Sequence, residues 1–211
     1  MPSSFPTDSD LLRAEIAAAA ARLIAEEGAD YATAKRKAAR QILGNNKVRG
    51  DVLPDNAMVE DEVRAYNALF FADTQPARLR HLRELAVRLM RELQQFQPYL
   101  TGAVLNGTAG EHSDIHMQLF ADSPKDVEIF LLNKGIDFEV SESPHINRQE
   151  EVEVLSFLWQ NEGVHLALYE TDALRAFGTS RKNTRIERAA LHAVEVLLAA
   201  PESTSPESTS S

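Results

Sequence analysis

The chain has 211 residues, of which 44% are hydrophobic and none is cysteine. This length and apolar content suffice for one domain with its own core, and the lack of cysteine excludes disulfides, thiolate zinc sites and a cysteine nucleophile. The 22 basic and 32 acidic side chains give a formal net charge of −10, which argues against non-specific binding to nucleic acid.

The two ends of the chain look unlike the rest. The residues through Pro6 contain neither a basic nor an apolar segment, and no stretch of the sequence approaches the roughly 18 apolar residues that a membrane span needs. We therefore expect a cytoplasmic protein without a membrane partner. Residues 1–7 and residues 200–211, which repeat Pro-Glu-Ser-Thr-Ser, are expected to be disordered because they have little apolar surface to bury.

Apolar residues recur at helical spacing through the N-terminal half, and this pattern predicts four helices. The first starts near Asp8 and ends at Gly28, and the second follows the capping residue Asp30. The third begins after Asp55. The fourth begins near Pro76 and has the longest apolar stripe.

After Pro98 the hydrophobic period changes, so residues 98–199 are predicted to form an α/β core after a helical region of residues 8–97. Strands are expected at residues 99–105, 114–121, 136–140, 152–159 and 164–169, the last two joined by a hairpin turn. Helices are expected after residue 123 and over residues 183–199, with a loop at 142–150. The predicted fold class is α+β: a helical N-terminal half, then a mixed β-sheet of about five strands with crossover and C-terminal helices.

A turn of small residues between two predicted strands has a chemically useful layout. It belongs to the segment Leu105-Asn106-Gly107-Thr108-Ala109-Gly110-Glu111-His112-Ser113-Asp114-Ile115-His116. Small residues allow backbone N–H groups to approach a phosphate. Strand alternation places Asp114 and His116 on one face. If a neighbouring strand brings Asp137 beside Asp114, the two carboxylates could hold Mg²⁺.

This order of residues resembles the nucleotidyltransferase superfamily, whose core runs strand, Gly-Ser turn, strand with Asp-x-Asp, helix, and strand with a third Asp. The resemblance covers about residues 99–140. It implies a catalytic set of Asp114, His116 and Asp137, in which the two aspartates bind metal. It further implies Gly107, Thr108 and Ser113 as cofactor-binding residues, Mg²⁺ or Mn²⁺ as cofactor, and transfer of a nucleoside monophosphate from a nucleoside triphosphate.

Two features depart from the family pattern. His116 stands at the second acidic position, and imidazole is a poor ligand for Mg²⁺, though acceptable for softer divalent ions. Only five residues separate Thr108 from Asp114, fewer than in bacterial members. The alternative is a non-catalytic protein-interaction or regulatory module, with a protein partner or a second copy of the chain. In that case the turn is an ordinary connection and Asp137 is solvated at a sheet edge.

Two further clusters are interpreted as structural. The histidines have no compact ligand spacing and are expected to be separate surface or hydrogen-bonded residues, with His165 on the polar side of its strand: His112, His116, His145 and His165. The basic run from Lys35 to Arg40 lacks interleaved aromatic residues. It is expected to form a solvated helix face or to contact an acidic neighbour.

Overall fold

A computed structural model describes residues 7–44, 52–144, 151–174 and 188–199. These residues form an α+β fold with a six-stranded mixed sheet, which confirms the predicted fold class. The chain divides into two compact units, residues 1–78 with 106–113 and residues 79–105 with 114–211. The division therefore falls inside the fourth helix, whereas the sequence suggested a boundary after residue 97. The predicted tail at 200–211 lies outside the described residues.

The first unit is helical. It contains α1 (Asp8–Glu27), α2 (Tyr31–Leu43), α3 (Asn56–Phe70) and the start of α4 (Gln75–Glu92). The first three helices begin at side-chain caps in which Thr7, Asp30 and Asp55 each accept a hydrogen bond from a backbone N–H three residues on. Thr7 was assigned to a disordered terminus, and this was wrong because its capping bonds order it.

Alanine supplies much of the core of the first unit. The fully buried members include Ala17, Ala20, Ala21, Ala34, Ala38 and Ala39, together with Ile16, Val59 and Val63. Small side chains let helix backbones approach closely at native packing density. Gly28 ends α1 with φ of 66°, and a Cβ there would lie 2.6 Å from the Cβ of His112. Glycine is therefore required both by the backbone conformation and by the available space.

The basic face of α2 confirms the structural interpretation of that run. Lys37 pairs with Glu27 at 3.1 Å, and both side chains are about half exposed. Arg36 donates to the hydroxyl of Thr33 at 3.2 Å. These are solvated contacts of the kind that contribute little to stability.

The second unit carries the sheet. After a 3₁₀ turn at Gln94–Phe96, its elements are β1 (Tyr99–Thr101), α5 (Gly102–Asn106), β2 (Ile115–Ala121), α6 (Pro124–Asn133), β3 (Glu139–Pro144), β4 (Glu151–Trp159), β5 (Glu162–Glu170), β6 (Arg188–Ala190) and α7 (Leu191–Ala199). The strand order is β3-β4-β5-β2-β1-β6. The pair β2–β5 is parallel and the other pairs are antiparallel.

The two faces of this sheet differ. One face carries a buried apolar row that runs in register through Leu155, Leu166, Met117 and Leu100. Because side chains alternate along a strand, the residues between them project from the other face. In the described part of the chain, no helix combines the length and apolar composition that crossing a membrane requires.

Three predicted elements were wrong in part. The first strand ends at Thr101, because Gly102 adopts φ of 70° and a short helix follows. Arg83 then donates to the carbonyls of Val104 and Leu105 at 3.0 and 3.1 Å. Residues 139–144 form β3 through pairing with β4, although their composition favoured a loop after 140. Residues 188–190 pair with β1 and do not extend the last helix; residues 183–187 lie outside the described residues.

Acidic side chains of β3, β4 and α6 lie near one another, and we expect them to make the stability of the protein depend on pH. Burial raises the pKa of Glu153, and the nearby carboxylate of Glu128 raises it further. A raised carboxyl pKa means that this group's stabilising contribution is complete at pH below its unfolded value and is lost as pH rises through its folded value. Glu153→Gln is therefore expected to raise the melting temperature at about pH 7 and to change it little at about pH 3.5.

Thermal unfolding of Glu153→Gln and Glu170→Gln at both pH values tests this. Glu170 is exposed at the end of β5, so its replacement serves as a matched control with little expected change. A lower melting temperature of Glu153→Gln than of wild type at neutral pH would contradict the expectation.

Candidate functional site

The glycine turn (residues 106–113) belongs to the first unit and is fastened through its carbonyl groups. Gln75 Nε2 donates to the carbonyls of Gly107 and Ala109 at 3.1 and 2.8 Å. Asn67 Nδ2 donates to the carbonyl of Thr108 at 3.3 Å, and Asn67 is only 4% exposed. Side chains of α3 and α4 thus hold the turn.

Thr108 is buried, and its backbone N–H and its hydroxyl both form hydrogen bonds within this unit. Its backbone N–H and its hydroxyl both donate to Asn106 Oδ1, at 3.0 and 2.7 Å, and the hydroxyl also lies 3.4 Å from the Tyr31 hydroxyl. Burial raises the pKa of Tyr31. The N–H of Gly110 donates to Ser113 Oγ at 2.9 Å. A phosphate contact through Thr108 or Ser113 stays a prediction, and it would require exchange of these bonds.

The Asn67 contact predicts a stability effect. Asn67→Ala removes the donor to a backbone carbonyl in a buried setting, which typically costs about 1–3 kcal/mol. Urea denaturation measures the loss of unfolding free energy. Gln95→Ala is the matched control because Gln95 carries the same amide on an exposed position. Equal effects of the two substitutions would contradict a structural role for Asn67.

The acidic residues of the predicted site belong to the second unit, since the division falls between Ser113 and Asp114. There, a polar row crosses the sheet in register on the face opposite to the apolar row. The polar row consists of Glu139, Ser156, His165, His116, Thr101 and Arg188. Asp114 lies immediately before β2 and reaches the row through its carboxylate.

Three side chains form a hydrogen-bonded chain at the centre of this face. Asp114 Oδ2 lies 3.0 Å from His165 Nε2, and His165 Nδ1 lies 2.9 Å from Ser156 Oγ. An ionised carboxylate only accepts, so Nε2 of His165 carries the proton and its Nδ1 accepts the Ser156 hydroxyl proton when the ring is neutral. The side chains of His165 and Asp114 are 31% and 46% exposed, so the chain is open to solvent.

Gly163 makes room for this arrangement. A Cβ at position 163 would lie 2.6 Å from Cγ of Asp114, closer than side-chain atoms tolerate. The missing side chain lets the carboxylate lie against the backbone of β5, two residues before His165. Any larger residue at 163 would displace the carboxylate from its imidazole partner.

His116 lies against the same imidazole. The rings of His116 and His165 stack with centroids 4.7 Å apart and an interplanar angle of 19°. The surrounding protein atoms lower the pKa of His116 by desolvation, the positive charge of His165 lowers it further, and Asp114 opposes both. Part of the His116 side chain remains exposed at the surface.

Asp137 does not join this cluster. It is exposed in the connection between α6 and β3, and β3 is three positions from β2 in the sheet. Three interstrand spacings amount to roughly 14 Å. A single Mg²⁺ holds its ligand oxygens within about 4 Å of one another. The expectation that a neighbouring strand places Asp137 beside Asp114 is therefore wrong, because the neighbour of β2 on that side is β5.

The residues that do meet do not fit Mg²⁺ or Mn²⁺. These ions favour oxygen ligands, whereas the cluster offers one carboxylate and two imidazoles. One oxygen of that carboxylate is already bonded to His165. Among the described residues no group of three His, Asp or Glu side chains is arranged to hold a metal ion.

Sequence reasoning missed Ser156 and underrated His165. It placed His165 on the polar side of its strand, which the register confirms. It expected separate surface or hydrogen-bonded histidines. His165 is hydrogen-bonded, but it is not separate, because its ring stacks on that of His116. His145 lies outside the described residues.

Comparison with known proteins adds no relative. No family model, curated protein or solved structure matches this chain. The resemblance to nucleotidyltransferases therefore stays a prediction from residue order alone.

Proposed function

We propose that this protein is nucleotidyltransferase-like, binds a nucleoside triphosphate without a divalent cation, and transfers no nucleoside monophosphate. The observation that carries the proposal is the hydrogen bond between Asp114 and His165. This bond engages the carboxylate that a metal would need. Asp114, immediately before β2, is the position at which the resemblance puts the first metal ligand.

Metal-dependent transfer needs several carboxylates, because two ions must be held to stabilise the attacking and leaving oxygens. Here His116 stands at the second acidic position, and Asp137 lies three strands away. Of the three acidic positions of the family pattern, Asp114 alone brings a carboxylate to the cluster with His116 and His165. These features favour a protein without that chemistry.

Binding of the nucleotide is a separate property that needs donors and positive charge. The polar row ends at Arg188, whose guanidinium stays charged at all physiological pH values and suits phosphate oxygens. The hydroxyl of Thr101, paired in register with Arg188, donates to the carbonyl of His116 at 3.2 Å. The guanidinium of Arg188 lies over the rings of Tyr99 and Phe120, 5.1 and 5.7 Å from their centroids, and there it would supply the positive charge that metal ions provide elsewhere.

Calorimetric titration of ATP and GTP against the full chain tests the proposal, in EDTA and then in Mg²⁺ or Mn²⁺. We expect binding in EDTA that the metals change little, and no covalent transfer product by mass spectrometry. Arg188→Gln should weaken binding, whereas the matched control Arg91→Gln, an exposed arginine paired with Glu195, should not. Metal-dependent binding that is lost in an Asp114→Ala/Asp137→Ala variant would overturn the proposal.

A second candidate function is a non-catalytic interaction module. The end of α3 exposes Leu69 and Phe70 at 74% and 59%, and the Phe70 ring lies 4.5 Å from that of Tyr66. Exposed apolar clusters of this kind mark protein-binding surfaces. We propose a second copy of the chain as its partner.

Sedimentation velocity over a range of protein concentrations tests that candidate. Association of wild type that is lost in Leu69→Glu but kept in the control Leu158→Glu would support it. Leu158 is equally exposed and belongs to β4. A wild-type protein that stays monomeric at every concentration would refute it.

A further inference from the structure

We infer that Ser156 is an activated nucleophile that accepts the acyl group of an activated carboxylic ester, with His165 as general base and Asp114 as positioning residue. The inference rests on the geometry of the second unit and is independent of nucleotide binding. It assigns a chemical role to Ser156 and His165, whereas in the proposed function the bond to His165 only occupies the Asp114 carboxylate.

The three groups meet the geometric conditions for an activated hydroxyl. A nucleophile and its base must lie within hydrogen-bonding distance, and the base must be oriented by a third group. Ser156 Oγ lies 2.9 Å from His165 Nδ1, and His165 Nε2 lies 3.0 Å from Asp114 Oδ2. The carboxylate fixes the tautomer in which Nδ1 has a free electron pair for the Ser156 proton.

The position of these groups is built into the fold. Ser156 and His165 are direct cross-strand partners in the β4–β5 hairpin, so the backbone register sets their separation. The Asp114 carboxylate fits against β5 because Gly163 has no side chain. Strand-borne groups are held more precisely than loop-borne ones.

The hydrogen bonds that join Asp114, His165 and Ser156 contribute little to the stability of the fold. His165 and Asp114 are 31% and 46% exposed, and a solvated ion pair contributes about 0–1 kcal/mol. This exposure leaves the imidazole and the carboxylate accessible from solvent, and Ser156 lies half-buried beside them. The stacked ring of His116 covers one face of His165 and restricts its rotation.

The reaction balances without an added oxidant, reductant or metal. As Ser156 Oγ bonds to the carbonyl carbon, its proton moves to His165 Nδ1. The bond between that carbon and the ester oxygen then breaks, and the leaving oxygen takes the proton from His165. Water attacks the acyl-serine, passes a proton through His165 to Ser156 Oγ, and releases a carboxylic acid.

The full chain is treated with a fluorophosphonate probe and, separately, with p-nitrophenyl acetate. We expect one probe per molecule on Ser156 by peptide mass spectrometry, and a burst of about one nitrophenolate per molecule from formation of the acyl-serine. Ser156→Ala should abolish both signals. Ser141→Ala is the matched control, because Ser141 is an exposed serine on the same sheet face and should leave both unchanged.

Two further variants separate activation from mere exposure of the hydroxyl. His165→Gln should lower the labelling rate by about 10²–10⁴-fold, the usual contribution of a general base, and Asp114→Asn should lower it by a smaller factor. Circular dichroism of each variant establishes that it is folded. If His165→Gln does not fold, the rate in Asp114→Asn decides. No labelling of folded wild type, labelling of another serine, or unchanged rates in the folded variants would overturn the inference.

Discussion

The double variant His116→Asp/His165→Asp is expected to gain a divalent-cation site that wild type lacks. The two positions are direct neighbours on the parallel strands β2 and β5, and Asp114 lies beside them. Substitution thus replaces two imidazoles by carboxylates and frees the Asp114 carboxylate. Three clustered carboxylates suit Mg²⁺ and Mn²⁺, which prefer oxygen ligands.

The gain is measured as a rise in melting temperature with added Mn²⁺ relative to EDTA. Binding at 100 times the dissociation constant corresponds to about 2.7 kcal/mol of added stability. In EDTA the variant should be less stable than wild type, because like charges repel at close range. His112→Asp/His192→Asp is the control, since these histidines are exposed elsewhere. An equal Mn²⁺ effect in wild type, or none in the folded variant, would contradict the account.

Leu100→Ala is expected to cause the largest loss of stability, about 2–5 kcal/mol. Leu100 is 0% exposed at the centre of β1, a strand of three residues between β2 and β6. It stands in register with Met117 and Ala189 in the buried apolar row. The substitution leaves a cavity, and a strand of three residues has few other packing contacts that could compensate for the lost stability.

Leu158→Ala provides the matched comparison. It removes the same atoms from a strand residue, but Leu158 is 74% exposed. Its expected effect is therefore within about 0.5 kcal/mol. Urea denaturation of both variants measures the difference, and similar losses would contradict the assigned packing of β1.

The helices could be predicted because their signals are local. Caps at Asp30 and Asp55 and the left-handed Gly28 mark ends that the structure confirms within a residue or two. The α4 stripe likewise predicted buried Leu82, Leu85 and Leu89. Such signals act within a few residues of the element that they define.

Part of the sheet could also be predicted. Gln160 and Asn161 both have positive φ, as a two-residue hairpin turn requires. With that turn fixed, Ser156 and His165 must pair, since each lies three residues from the Trp159–Glu162 pair next to the turn. The Ser–His contact was therefore within reach of sequence reasoning.

The contact with Asp114 was not within reach. It depends on the parallel pairing of β2 with β5, which brings together residues about fifty positions apart in the chain. Nothing local to either strand selects that partner over β3, which follows Asp137 in the chain. The assignment of the glycine turn to the helical unit likewise depends on distant donors such as Gln75 and Asn67.

We propose that the Asp114 carboxylate binds His165 and not a metal ion. Long-range ¹H–¹⁵N NMR spectra of the imidazole nitrogens test it most directly, with His165 assigned through His165→Gln. The account predicts an Nε2–H tautomer for His165 in EDTA that persists when Mg²⁺ and ATP are added. An Nδ1–H tautomer, or loss of the Nε2–H signal on adding Mg²⁺ and ATP, would contradict it.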